Sequence, residues 1–222
     1  KLMFMGDEVA QFIEWRYYEP IEYKLLAFDM HKKLQSFVKA LNGLYTATPA
    51  LYEIDDSWEG FTWLSVDDAD RSLAAFARMG ERPDELMVCA FNFTPNPVEE
   101  FRLGVPRAGI YFEALNSDDE RFGGSGVVNT VPRRTENHAE NGFFQSVVLR
   151  LPPLGGVFLR FSPEAGEGRL KAAEFGEPPS DSYENRAQNA RPEGISARAD
   201  GFFAEEEEEK QGGSLPKKER AV

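Results

Sequence analysis

Three carboxylates near the start of the chain are the residues best suited to chemistry. Asp7, Glu8 and Glu14 follow a short apolar run, which is the position where barrel enzymes place functional side chains. Trp15 stands beside Glu14, and two tyrosines follow it, so flat apolar faces of the kind that stack on sugar rings accompany the acids. The residues alone favour a plainer interpretation, in which Glu8 and Glu14 make loop hydrogen bonds and the aromatic residues are local core.

The remaining reactive residue types form no recognisable centre. His31 and His138 share no ligand spacing and are predicted to lie on the exposed surface, so no metal site is predicted. Cys89 lies inside an apolar run and is predicted to be a small buried side chain. The glycine-rich residues 123–126 lack the lysine that follows in a phosphate-binding loop. We therefore predict no metal ion and no cofactor.

The elements that must position these residues differ along the chain. Residues 2–5 are four consecutive large apolar residues, which predict a short buried strand. Because a strand needs hydrogen-bonded neighbours, we expect this one to come from a larger sheet. An α-helix is then predicted from one apolar stripe, formed by Met30, Leu34, Phe37, Val38, Leu41, Leu44 and Tyr45.

From Thr46 the apolar period changes to two. Strands are predicted at residues 61–66, 72–78, 86–93, 98–103, 110–115, 144–151 and 157–161, separated by Gly, Pro, Asn and Asp. Short strands at this spacing predict an antiparallel sandwich or barrel. Residues 122–142 are polar and glycine-rich, and are predicted to be a long loop or a weakly paired excursion.

Composition limits the partners. The chain has 222 residues, with 38 acidic and 25 basic side chains and a formal charge of −13, which argues against nucleic acid or an anionic membrane as the main partner. A single cysteine permits no internal disulfide and fits a reducing compartment. No apolar run approaches the roughly 20 residues of a membrane-spanning helix. These features predict a soluble, cytoplasmic chain whose last part, residues 163–222 with the run Glu205–Glu209, is a disordered acidic tail.

Motifs in the same order along most of the chain resemble those of 1,4-α-glucan (glycogen) branching enzymes, members of the α-amylase superfamily. The resemblance runs from Lys1 to about Phe161 and is carried by residues 1–8, the pair Glu14–Trp15, and residues 23–26, 35–45, 49–51, 60–64, 92–95, 103–109, 115–118, 122–126 and 151–154. It implies a mainly β fold: a C-terminal antiparallel β-sandwich preceded by the last strand and helix of a truncated (β/α)8 barrel. The implied domains are residues 1–45 for the end of the barrel, 46–162 for the β domain and 163–222 for the tail.

The resemblance also implies an activity and a substrate. This family cuts an α-1,4 link in a glucan and transfers the freed end to a 6-hydroxyl, making α-1,6 branches by a retaining double displacement at paired carboxylates. Those carboxylates belong to segments before the last barrel strand, so no catalytic residue is assigned in this chain, which we expect to be inactive alone. Glu14 and Trp15 keep the family's pair and are the candidate residues for contact with the α-glucan.

Two other functions are compatible with the sequence. One is a related glucan hydrolase or transferase of the same superfamily. The other is a free-standing carbohydrate-binding β module, which would present a row of exposed aromatic side chains. Burial of Phe61, Trp58 and Trp63 against the helix would exclude that module.

Overall fold

The computed structural model describes residues 1–14 and 16–163. The predicted acidic tail therefore lies outside the described residues, apart from Pro163, and so does Trp15. The described part contains one α-helix, α1 (Asp29–Thr46), and eight strands: β1 (Phe61–Ser65), β2 (Leu73–Met79), β3 (Leu86–Asn92), β4 (Val98–Val105), β5 (Ile110–Asn116), β6 (Arg133–Arg134), β7 (Gln145–Leu151) and β8 (Gly155–Ser162). Short 3-10 turns occupy Asp7–Val9, Tyr23–Ala27, Pro49–Leu51, Trp58–Gly60 and Glu120–Phe122.

The strands form two antiparallel sheets that pack face to face. Six strands are ordered β1-β2-β3-β8-β5-β6, and β4 pairs with β7 in a second sheet. Alternate residues of both sheets point into one buried cluster, in which Val88 and Leu159 of the larger sheet meet Leu103 and Leu149 of the smaller one. Since the side chains of a strand alternate between its two faces, this cluster uses only half of each strand. The predicted mainly antiparallel β fold is confirmed.

The helix covers part of the outer face of the six-stranded sheet. In β3 the odd-numbered residues Met87 and Cys89 point away from the sandwich core and are still fully buried. They lie in a second cluster with Leu44 of α1, against which Phe37 and Leu41 also pack. The predicted helical stripe is therefore present, and it explains why β3 is apolar on both faces.

The predicted strand at residues 2–5 is absent. Leu2, Met3, Phe4 and Met5 are all exposed, with Leu2 fully so, and none of the strands in the described part pairs with them. The backbone instead turns at once, because the Asp7 amide donates to the Phe4 carbonyl at 3.1 Å. An apolar run forms a strand only where another strand offers hydrogen-bond partners, and no described strand does so here. The assignment of residues 1–45 to a barrel thus stays a prediction.

Residues 122–142, predicted to be a long loop or a weakly paired excursion, pair weakly with neighbouring strands. This segment contributes the two-residue strand β6, which pairs with β5, and two isolated bridges, Glu136 with Ser146 and Glu140 with Phe143.

Within residues 1–14 and 16–163, no helix has the length and apolar character that crossing a bilayer requires.

Candidate functional site

The carboxylates at the start of the chain serve the local backbone. One Glu8 oxygen accepts from the Gly6 amide at 2.9 Å and the other from the Tyr23 hydroxyl at 3.3 Å, while Asp7 accepts from the Phe4 amide at 3.2 Å. Burial, and then the negative charge of Glu8, raise the pKa of the Tyr23 phenol. These contacts hold the first turn of the chain together and leave Asp7 and Glu8 with structural partners.

Of the two residues predicted to contact the glucan, the structure describes Glu14. Glu14 is exposed on the irregular segment that follows the first 3-10 turn, and Trp15 lies outside the described residues. Glu14 is not among the residues that line the cleft described below. A role for the pair Glu14–Trp15 in contacting the glucan stays a prediction.

The two histidines and the cysteine lie apart. His31 was expected on the exposed surface, but it is half-buried: its Nδ1 lies 2.7 Å from the Val9 carbonyl oxygen, and the Phe12 ring meets it edge-on at 5.5 Å. His138 is exposed, as predicted. Cys89 is fully buried, and desolvation raises the pKa of its thiol to about 12. In the described residues no group of three or more histidine, cysteine or acidic side chains could hold a metal ion.

A row of aromatic rings crosses the outer face of β1, β2 and β3, and its two middle members, Phe76 and Phe91, are half-buried against the cluster that α1 forms with the sheet. We call this row the aromatic ladder; it consists of Phe61, Phe76, Phe91 and Phe93. Successive rings stack with centroids 5.3, 5.9 and 6.3 Å apart and interplanar angles of 29°, 27° and 19°. Trp63 meets both Phe61 and Phe76 edge-on.

Strand register explains why these rings meet. Trp63 pairs with Phe76 across β1 and β2, and Phe76 pairs with Cys89 across β2 and β3. Phe61 and Phe91 lie on the diagonals of these pairs, at a separation that aromatic side chains can bridge. The alternate residues of β2, such as Ala75 and Ala77, point into the sandwich core and are fully buried. The period-two pattern therefore places every ring of β1 to β3 on one face.

An open cleft of about 540 Å³ lies at the β1 end of the ladder. Its walls are Asp55, Asp56, Ser57, Trp58, Phe61, Trp63 and Arg78. Trp58 is 84% exposed and Trp63 is 49% exposed, so both indole rings are available to a ligand. The condition that would have excluded a carbohydrate-binding role, burial of these rings against the helix, is not met.

The rim of the cleft is held to the sheet by one arginine. Nη2 of Arg78 donates to Oδ1 of Asp55 at 2.6 Å and to the carbonyl oxygen of Ile54 at 3.0 Å. The ammonium group of Lys1, and then the Arg78 guanidinium, lower the pKa of the Asp55 carboxyl against the opposing effect of desolvation. Gly60 closes the same loop, because a Cβ there would lie 2.0 Å from the Ile54 carbonyl oxygen.

The cleft contains the kinds of chemical group that bind sugars. Exposed indole rings supply flat apolar surfaces, and the carboxylates of Asp55 and Asp56 can accept hydrogen bonds from hydroxyl groups. Sequence reasoning named Trp58, Phe61 and Trp63 without placing them together. The signal that could have done so is the alternation in β1 to β3, where large aromatic residues repeat on the face opposite the small apolar ones.

Comparison with known proteins identifies the β domain. Residues 63–162 match the family model described as "Alpha amylase, C-terminal all-beta domain". This stretch contains most of β1 and all of β2 to β8, and hence both sheets of the sandwich.

The chain is also similar to curated proteins of greater length. It is 45% identical over 160 residues to the 1,4-alpha-glucan branching enzyme GlgB of Rhodospirillum rubrum, with 72% of the chain and 22% of that protein covered. The corresponding enzyme of Aliivibrio fischeri is 44% identical over 160 residues, covering 72% and 22%, and that of Clostridium perfringens is 39% identical over 163 residues, covering 72% and 25%. The chain thus spans about a quarter of the length of these relatives. The resemblance to branching enzymes of the α-amylase superfamily, and to their C-terminal part, is confirmed.

Proposed function

We propose that this relative of the 1,4-α-glucan branching enzymes is the C-terminal part of such an enzyme. In the whole protein the reaction is the transfer of an α-1,4-glucan segment to a 6-hydroxyl, giving an α-1,6 branch by a retaining double displacement. The observation that carries the proposal is the similarity over 72% of the chain to proteins with this name, at 39–45% identity in the three relatives above. A cytoplasmic location is consistent with Cys89, a buried free thiol.

We assign residues 1–45 to the end of the catalytic barrel and residues 46–162 to the C-terminal β domain. The exposed apolar side chains at residues 2–5 support this assignment, because protein surface of this kind is usually covered in a larger assembly. The packing of α1 on the six-stranded sheet provides the connection between the two parts. Glu14 and Trp15 would then line the glucan groove from the barrel side.

We infer that the catalytic carboxylates of the enzyme lie outside this chain, and we therefore expect the isolated chain to be inactive. Asp7 and Glu8, the acids nearest to the proposed barrel strand, are already bonded to local partners. The experiment incubates the purified chain with amylose, treats the product with a debranching enzyme, and counts the chain ends released. No new α-1,6 links are expected; their formation would show that the chain itself contains the nucleophile and the acid.

A second function is favoured by the cleft: binding of an α-glucan chain away from the reacting bond. The supporting observation is the exposure of Trp58 and Trp63, which line the cleft together with Asp55 and Asp56. Stacking of a sugar on an indole ring changes the environment of its fluorescence. Titration with a linear malto-oligosaccharide should therefore change the tryptophan emission of the chain.

The matched variants for this titration are Trp63→Ala and Phe144→Ala. Phe144 is 88% exposed and is not among the residues lining the cleft, so its truncation controls for the loss of an exposed aromatic side chain. We expect roughly a tenfold loss of affinity for Trp63→Ala, corresponding to about 1.4 kcal/mol, and none for Phe144→Ala. Equal affinities in the two variants would refute the proposed site. A hydrolase and a branching enzyme of this superfamily differ in the products that the whole protein makes. A product assay on the whole protein therefore distinguishes the two activities.

A further inference from the structure

We propose that Asn141 is a site of spontaneous deamidation, a modification unrelated to glucan chemistry. Asn141 and Gly142 form the two-residue loop of a hairpin, with φ values of 49° and 81°. Glu140 and Phe143 flank the loop and exchange both backbone hydrogen bonds, at 3.0 and 2.9 Å. Positive φ at both central residues is the signature of a type I′ turn, for which Asn-Gly is the preferred sequence.

The chemistry requires only these two residues and water. The backbone nitrogen of Gly142 attacks Cγ of Asn141, the bond from Cγ to Nδ2 breaks, and Nδ2 leaves as ammonia with the proton from the Gly142 amide. Water then opens the cyclic imide. Opening at the side-chain carbonyl gives aspartate, and opening at the backbone carbonyl gives isoaspartate.

The surroundings of the turn favour this reaction. Both residues are exposed, and apart from the adjacent residues no atom of the described part lies within 4 Å of the place where a Cβ on Gly142 would stand, so the turn is open to water on that side. The Gly104 amide donates to Oδ1 of Asn141 at 3.3 Å, which polarises the carbonyl that is attacked. The hairpin is a single isolated bridge, so the backbone rotation that brings nitrogen to Cγ requires only local opening.

The chain contains its own control. Asn42 and Gly43 repeat the dipeptide inside α1, where both residues are again exposed and the space around Gly43 is again empty. The two sites therefore match in sequence, exposure and steric access, and they differ in backbone conformation. In the helix the backbone is held by intrahelical hydrogen bonds, and the Asn42 carbonyl also accepts from the Thr46 hydroxyl at 3.1 Å.

Deamidation would have a structural consequence. Isoaspartate adds a methylene to the backbone, and a two-residue turn cannot absorb it while keeping both bonds between Glu140 and Phe143. Phe143 packs against the sandwich core, and the Glu140 carbonyl lies where a Cβ of Gly104 would come within 2.0 Å of it. We therefore expect the modified loop to separate from β4, with faster hydrogen exchange at the Gly104 amide.

The test incubates the full chain at mildly alkaline pH and follows amide loss by mass spectrometry of the tryptic peptides 135–150 and 40–71. In the folded chain Asn141 should lose its amide at least about tenfold faster than Asn42, because a turn opens more easily than a helix. In denaturant the two rates should converge. Equal rates in the folded chain would overturn the proposal, and so would the same rate ratio in denaturant, since backbone conformation would then not be the cause.

A substitution at Asn141 tests whether the reaction occurs at that residue. Asn141→Gln keeps an amide but makes the cyclic intermediate larger and less favourable, so isoaspartate should disappear from peptide 135–150. Persistent isoaspartate in that peptide would assign the reaction to Asn137 and contradict the proposal. Gly43→Ala should leave the rate at Asn141 unchanged.

Discussion

Nη2 of Arg78 lies 2.6 Å from Oδ1 of Asp55, and this ion pair joins the rim of the cleft to strand β2. The Arg78 side chain is only 12% exposed, and the same nitrogen donates to the Ile54 carbonyl. The arginine therefore positions the loop that carries Trp58, one wall of the cleft, against Phe61 and Trp63 on the sheet.

Arg78→Met should loosen this loop. Because the variant loses charged hydrogen bonds to a carboxylate that is partly open to solvent, we expect the free energy of unfolding to fall by about 1–2 kcal/mol. The measurement is chemical denaturation of both proteins. Arg82→Met is the control, since Arg82 is 68% exposed and forms ion pairs with the nearby Asp84 and Glu85. Its loss should stay below about 1 kcal/mol, and equal losses in the two variants would argue against a positioning role for Arg78.

Gly60→Ala tests the closure of the same loop. The added Cβ would meet the Ile54 carbonyl oxygen at 2.0 Å, and a backbone atom cannot move aside without shifting the loop. We expect a loss of about 1–3 kcal/mol in the free energy of unfolding, as for overpacking.

Gly43→Ala provides the opposite expectation. Gly43 lies in α1 with empty space around it, so the added methyl group should stabilise the helix by about 0.5–1 kcal/mol. Thermal unfolding of Gly60→Ala and Gly43→Ala measures the change in Tm that each substitution causes. Opposite shifts in Tm are predicted, whereas similar shifts would show that the contact at Gly60 does not constrain the loop.

Asp118 should make stability depend on pH in the acid range. Desolvation alone would raise the pKa of this carboxyl, but hydrogen bonds from the Ser125 amide and hydroxyl and from the Val127 amide outweigh it, and the pKa is lowered. A carboxyl with a lower pKa in the folded state contributes stability above its unfolded pKa of about 4, and that contribution is lost as the pH falls through the folded value.

Asp118→Asn removes this contribution. The variant should be less stable than the parent at pH 7, and the difference in free energy of unfolding should shrink as the pH falls below about 4. Chemical denaturation of the variant and the parent at a series of pH values measures this difference in free energy of unfolding. Asp84→Asn, at a carboxylate that is 55% exposed, should show little effect at any pH. A difference for Asp118→Asn that stays constant with pH would mean that the carboxylate charge does not stabilise this loop.

Cys89 should resist alkylation while the chain is folded. Its thiol is buried under α1, and its pKa is raised to about 12, so at pH 8 the thiolate fraction is about a thousandfold below that of an ordinary cysteine. The rate of iodoacetamide labelling, with and without denaturant, measures the protection. Rapid labelling of the folded chain would show that α1 leaves the sheet readily.

The β domain could be read from the sequence because its information is local. Leu86 to Asn92 is an almost continuous apolar run between turns that contain Gly and Pro, and β3 occupies those seven residues. The helix was predictable for the same reason, because residues such as Phe37, Leu41 and Leu44 repeat at its period. Arg133–Arg134 was not predictable as a strand, because two polar residues pair only where β5 offers an edge.

The features that were missed depend on contacts between distant segments. The run at residues 2–5 has a strand's composition, but its pairing depends on a partner strand that its own residues do not reveal. Trp63 and Cys89 both lie on the outer face of the larger sheet, yet α1 covers Cys89 and leaves Trp63 half exposed. Alternation predicts the two faces of a sheet, whereas the position of the helix on one face is a property of the whole fold.

The most direct test of the proposed function is a product assay on the whole protein that contains this chain. The protein is incubated with amylose, and α-1,6 links and reducing ends are counted over the same period. Transfer predicts that α-1,6 links rise while reducing ends stay constant, because each cleaved end is rejoined. A rise in reducing ends without new α-1,6 links would contradict the branching assignment and favour a hydrolase of the same superfamily.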